Sequence, residues 1–124
     1  MSGGSASKRK GSQFERDLVK YLRAHGFDVE RAYGAGRPDD VGDIAGIDGV
    51  VIEAKACKRF ELAEWVAEAR TEALNRDGID GVGVVIAKAP GKPIGEAYLI
   101  ARLDPDGLDI LRGLACMNRA GGTE

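Results

Sequence analysis

The sequence predicts an α/β fold in which a central mixed β-sheet is flanked by helices, with core elements in the order αβββαβ. Three observations carry this expectation. Two stretches, Ser12 to His25 and Glu61 to Arg76, repeat apolar residues at helical spacing. Between them lie short β-branched runs punctuated by glycine. A third run, Val82 to Ala87, is apolar without interruption, as a central strand covered on both faces must be.

Taken in order, Phe14, Leu18, Tyr21 and Leu22 trace the buried side of the first helix, which Ser12 can cap and Gly26 stops. Phe27 to Tyr33 reads as a strand and Gly34 to Val41 as a loop rich in glycine and aspartate. Asp43 to Ile47 and Val50 to Ala56 form a hairpin around Asp48-Gly49. In the second helix Leu62, Trp65, Val66, Ala69 and Ala73 make the buried stripe. After the strand Val82 to Ala87 come a Pro/Gly turn from Lys88 to Gly95, a strand from Ala97 to Arg102 and a closing helix from Leu108 to Met117. The chain divides into a mobile basic arm (1–11), a single domain (12–118) and a short tail (119–124).

Composition excludes several classes. A chain of 124 residues is one ordinary soluble domain, and a formal net charge of -2 is not that of a protein that coats nucleic acid indiscriminately. Any nucleic-acid contact must come from placed charge, as in Lys8-Arg9-Lys10 and Lys58-Arg59, which equally suit a solvated face. No apolar run approaches the roughly 20 residues of a membrane span, and no signal segment opens the chain. Cys57 and Cys116 stand far apart without a metal or disulfide spacing, which points to a reducing cytoplasm, in a prokaryotic cell or an infected host. His25 is the sole histidine, which excludes multi-histidine metal sites and argues against a nucleophilic triad.

The segment from Gly42 to Lys55 reads G-D-I-A-G-I-D-G-V-V-I-E-A-K, the spelling of a metal-dependent nuclease strand. Hydrolysing a phosphodiester calls for a divalent cation, and hard cations choose carboxylate and carbonyl oxygens. Asp43 and Glu53 can supply them. Strand alternation puts Glu53 and Lys55 on one face, where the lysine can orient the attacking water, deprotonate it, or stabilise the developing charge. Three letters alone also fit a solvated ion pair on a strand edge. The parity of the hairpin sets a condition: a strictly two-residue loop with straight strands would set Ile44 opposite Glu53 and turn Asp43 to the wrong face. Asp43 and Glu53 share a face only if the loop is odd, as from Asp48 to Val50, or if Gly46 supports a bulge. Glu15 lies on or beside the apolar stripe of the first helix, where a charge needs a reason. Ser12-x-x-Glu15 is also a capping box, so both uses stand open.

K-R-K-G-S-x-x-E-R at Lys8 to Arg16, then L-V-K-Y-L-R-x-x-G-F-x-V, the Gly-rich loop, G-D-I and I-E-A-K together resemble the archaeal-type Holliday-junction resolvases of the PD-(D/E)XK restriction-endonuclease-like superfamily. The likeness runs from Lys8 to Arg59 and weakens afterwards. It implies a restriction-endonuclease-like core with Glu15, Asp43, Glu53 and Lys55 as catalytic residues. It also implies Glu15, Asp43, Glu53 and the Ala54 carbonyl as ligands of Mg2+, for which Mn2+ substitutes. Arg16 matches a phosphate-contacting arginine, Lys8, Arg9 and Lys10 a DNA-gripping segment, and Lys58 and Arg59 add charge after the strand. The family's loop serine is missing, leaving Arg37 as the phosphate contact; Gly42 replaces a proline; and a glutamine of the second helix is replaced near Arg70. The implied activity is paired nicking of a four-way DNA junction by water attack, leaving 5′-phosphate and 3′-hydroxyl. A homodimer fits this, with Leu108, Ile110, Leu111 and Leu114 available for the contact or simply covering the sheet. A small-molecule substrate and a membrane are not implied. The alternatives are an endonuclease of the same superfamily acting on nicked, flapped or damaged DNA, and a noncatalytic structure-specific DNA-binding module.

Overall fold

Five strands form one mixed sheet in the spatial order β1-β2-β3-β4-β5 in a computed structural model that describes residues 2–32 and 43–122, with side chains described from 11 to 119. The loop expected from Gly34 to Val41, with Arg37, lies outside the described residues. The elements are α1 (Ser2–Ala24), β1 (Glu30–Arg31), β2 (Ile44–Ala45), β3 (Val50–Lys55), α2 (Leu62–Asp77), β4 (Val82–Ala87), β5 (Tyr98–Ile100) and α3 (Leu108–Gly122). β3 and β4 run parallel and are joined through α2, while every other neighbouring pair is antiparallel. This is the α/β architecture expected, with β5 and α3 following the αβββαβ core.

Side-chain alternation along the central strands divides the core. Ile52 and its partner Val84 face α1, where they pack with Phe14, Leu18, Val19, Val29 and Ile44. Val85, beside Glu53, faces α2 and meets Trp65 and Ala69. α2 comes close because Gly83 lacks a side chain: a Cβ there would overlap the Ala69 carbonyl.

One expectation is corrected in α1. The helix begins at Ser2, so Ser12 lies in its interior and the Ser12–Glu15 capping box does not form. The arm expected over 1–11 is thus helical backbone from Ser2 onward. Lys8, Arg9, Lys10 and Gln13 are good helix formers, so helix growth from the packed turn at Phe14 and Leu18 extends backward through them.

The hairpin meets the parity condition through a bulge. Val50 N–H donates to the Ile47 carbonyl (3.1 Å), closing the Asp48-Gly49 turn, yet Ile44 pairs with Ile52. Ala45 and Gly46 therefore oppose the single residue Val51, and Asp43 comes to stand opposite Glu53. Gly46 carries the bulge at φ 128°, and a Cβ there would sit 2.8 Å from the Val29 Cα. Arg76, in the last turn of α2, donates to the Val50 and Ile47 carbonyls (3.1 and 3.3 Å) and so holds the turn that sets this register.

Candidate metal centre

The bulge brings Asp43 against β3, where three backbone bonds hold it. Its amide donates to the Ile52 carbonyl (2.9 Å), its carbonyl accepts from Ala32 (2.8 Å), and its Oδ2 accepts from the Ala54 amide (2.9 Å). The carboxylate is thus fixed beside the strand whose Ala54 carbonyl is the expected additional ligand. Asp43 and Glu53 hydrogen-bond each other, and Glu53, only 6% exposed, faces the buried Glu72 of α2. Two carboxyl groups can share such a bond only through a proton. Burial, then the hydrogen bond and charge of Glu53, push Asp43 up to about 8. Burial likewise pushes Glu53 up to about 8; its contact with Asp43 pulls it down, and the neighbouring Glu72 pushes it further up.

Glu15 does not cap its helix. Its Oε1 accepts from Arg31 Nε at 3.2 Å, and its pKa is raised, first by burial and then by the charge of Asp43, against the pull of Arg31. The field of Asp43 therefore reaches Glu15, which belongs to the same acidic corner.

Lys55 lies half-buried above the Trp65 ring, 6.0 Å from its centroid, with Nζ 3.0 Å from Glu68 Oε2. Burial alone would lower its pKa, but the hydrogen bond to Glu68 and the charges of Glu53, Glu68 and Asp43 outweigh it, and the net direction is upward. Of the three roles read for this lysine, orienting and charge-stabilising suit a fixed ammonium, whereas accepting a proton does not.

Among the described residues no three His, Cys, Asp or Glu side chains stand ready-made around a cation. Asp43 and Glu53 nonetheless fit one. Buried carboxylates driven into mutual contact call for positive charge, and magnesium takes one or two carboxylates with waters and substrate phosphate oxygens completing its shell.

The other expected residues divide. Arg16 is exposed on α1, its Nη2 3.0 Å from Gln13 Oε1. Lys58 and Arg59 are exposed just beyond β3. Lys8, Arg9 and Lys10 lie on the α1 backbone with side chains outside the described residues. Arg70, near which the family's glutamine is replaced, faces away from the acidic corner, donating to Asp106 Oδ1 (2.7 Å) and to the Gly81 carbonyl (2.8 Å). Helical spacing alone does not tell which turn of α2 crosses the end of β3. Glu72, Glu68 and Arg31 stand outside the sequence motifs. Glu72 carries a usable signal all the same, since it follows Trp65 and Ala69 on the buried stripe, where a carboxylate must have a partner.

The chain is similar to known proteins over this region. A family model described as archaeal Holliday junction resolvase matches residues 6–74, which hold most of α1, the hairpin with β3 and most of α2. The fold is also similar to a solved structure of Hjc from Archaeoglobus fulgidus, a Holliday junction resolvase from an archaeal hyperthermophile. The identity is 28%, the match covers 74% of this chain and 88% of the other, and the TM-score is 0.51.

Proposed function

This chain belongs to the archaeal Holliday-junction resolvase family, and from that premise we propose that it is a structure-specific endodeoxyribonuclease that nicks four-way DNA junctions in pairs. The observation that carries the reading is the bulge-set pairing of Asp43 with Glu53 beside the charged Lys55. Asp43 and Glu53, with Glu15 and the Ala54 carbonyl, are the residues that would hold Mg2+, or Mn2+ in its place. When bound, the cation supplies charge neutralisation at the phosphate and an acidified water.

The chain's own residues do the rest. The Ala54 amide keeps Asp43 oriented, and Glu68 keeps the Lys55 ammonium beside the place where negative charge accumulates on the phosphate oxygens. Water adds its oxygen to phosphorus as the bond to the 3′ oxygen breaks; that oxygen leaves with a proton as a 3′-hydroxyl, and the phosphate stays on the 5′ end. Arg16, Lys58 and Arg59, with Lys8, Arg9, Lys10 and Arg37, contact the backbone and recognise shape, not sequence. Two nicks related by symmetry call for a homodimer. The exposed Leu111 and Leu114 of α3 support it, as does an open apolar groove of 370 Å³ that Ile110, Leu99 and Phe27 help to line. The described residues hold no helix long and apolar enough to cross a membrane.

Incubation with a synthetic four-way junction, the matched duplex and a flap, in magnesium or EDTA, tests this. Paired nicks should appear only on the junction and only in magnesium, and Asp43→Asn or Glu53→Gln should slow them by on the order of 10²–10³ while binding persists. Equal cleavage of all three substrates would point to another DNA substrate, and binding without cleavage to a noncatalytic module.

A further inference from the structure

We propose that the groove between α1 and β1 is a second phosphate-binding surface, one that seats the phosphodiester backbone of a duplex arm next to the acidic corner. It is a cleft of 490 Å³ lined by Arg16, Val19, Lys20 and Arg23 of α1 and by Glu30 and Arg31 of β1. Arg16, Lys20 and Arg23 follow one another at the spacing of a single helix face. Like charges so placed oppose the helix that carries them, and a polyanion relieves that repulsion. Among the described residues Glu30 is the one carboxylate on the walls, while Asp17 nearby accepts a hydrogen bond from Gln13 (2.8 Å). In a chain of formal net charge -2, four cations around one cleft are a placed charge.

Two bonds pre-set the cleft. Arg23 uses only Nε to reach the Val29 carbonyl (2.7 Å), which anchors its guanidinium plane. Arg31 Nε reaches Glu15 (3.2 Å), and Arg31 pairs with Ile44 while the next residue's amide reaches the Asp43 carbonyl (2.8 Å), so the wall of the cleft runs directly into the acidic corner. Size favours a DNA strand over a free phosphate. At ~1.5 Å of rise per residue the face from Arg16 to Arg23 extends for about 10 Å, and one strand of duplex carries a phosphate every ~3.4 Å of axis. Lys20, Arg23 and Arg31 thereby join Arg16 in binding DNA. This rests on the reading of the chain as a protein of branched DNA.

Junction affinity measured across a salt series, with EDTA present so that nothing is cut, tests it. Replacing Lys20 and Arg23 by Gln should weaken binding and reduce the slope of log affinity on log salt by about 2, roughly 1 for each phosphate that is no longer neutralised. Arg23→Lys, which keeps the charge and removes the planar bond to Val29, should restore its share. A wild-type slope in the double variant would overturn the groove and leave the resolvase reading standing, whereas failure of the wild type to bind any junction would overturn both. Weaker binding by Arg23→Gln that Lys does not restore would mean that Arg23 only staples helix to strand. Displacement of the junction by inorganic phosphate at constant ionic strength would reassign the cleft to a free anion.

Discussion

Arg70 and Glu72 leave α2 two residues apart and are both buried, yet their surroundings differ in kind. Arg70 meets Asp106, which also accepts from the Gly83 amide (2.8 Å), while its second terminal nitrogen reaches the Gly81 carbonyl. Charge is matched there, and the pair ties α2 to β4 and to the turn that leads into α3. Glu72, 1% exposed, meets Glu53, and Glu53 meets Asp43. In that row acid faces acid. A buried charge must be paired or must bind a metal. The matched cluster thus balances its charge within the chain, and the unmatched one is arranged for something the chain does not supply.

The largest effect should come from breaking the matched cluster. Arg70→Met leaves Asp106 buried without its cation and should cost about 3–5 kcal/mol in urea denaturation, and removing Asp106 as well should recover part of the loss. Junction cleavage by whatever protein remains folded should change little, because the pair lies away from Asp43 and Glu53.

The unmatched cluster should respond to pH with the opposite sign from an ordinary ion-paired carboxylate. Asp43 and Glu53 are raised in the folded state from 3.8 and 4.5 to about 8, so between those limits the folded protein binds more protons than the unfolded chain. Stability without metal is therefore fully present in acid and falls as pH rises toward 8. A Tm lower at pH 8 than at pH 5 by roughly 5 °C or more is expected in EDTA. Asp43→Asn should flatten that fall, and Mg2+ should reverse it in the wild type alone. A Tm that climbs steadily from pH 5 to pH 8 in EDTA would sink this account of the acidic row.

The smallest effect belongs to Lys55 and Glu68, a partly exposed pair at the rim of the acidic row. Glu68→Gln should alter folding stability by less than about 1 kcal/mol. Its mark should be on kcat with KM unchanged, and Glu68→Asp should recover less than the wild type if the position of the ammonium matters.

How much of this was legible in the sequence depends on how local the determining physics is. β4 runs from Val82 to Ala87 as expected, because an unbroken apolar run declares burial on both faces by itself. α2 shifts by a single residue at each end, Glu61 to Leu62 and Arg76 to Asp77. Among the described residues β1 spans only Glu30–Arg31 of the expected strand, matching the two residues of its partner β2, and pairing partners are not written in a strand's own residues. Ser12 misled for a related reason. A capping box exists only at a helix end, and propagation moved that end to Ser2. Glu15 then found Arg31 across the chain.

The sequence by itself determined the α/β order, the carboxylates and lysine available for metal chemistry, and the condition that Asp43 and Glu53 could meet only through an odd loop or a bulge. Those follow from periodicity and residue chemistry, which act over a few residues. Only the tertiary structure decided that the bulge at Gly46 meets that condition, that Glu72 completes the acidic row, that Arg70 is a strut of the fold, and that Lys20, Arg23 and Arg31 share a cleft with Arg16. These depend on which turn of α2 lies over β3 and which face of α1 lies over β1. Such long-range contacts are set by packing the whole core, and no short window of sequence contains them.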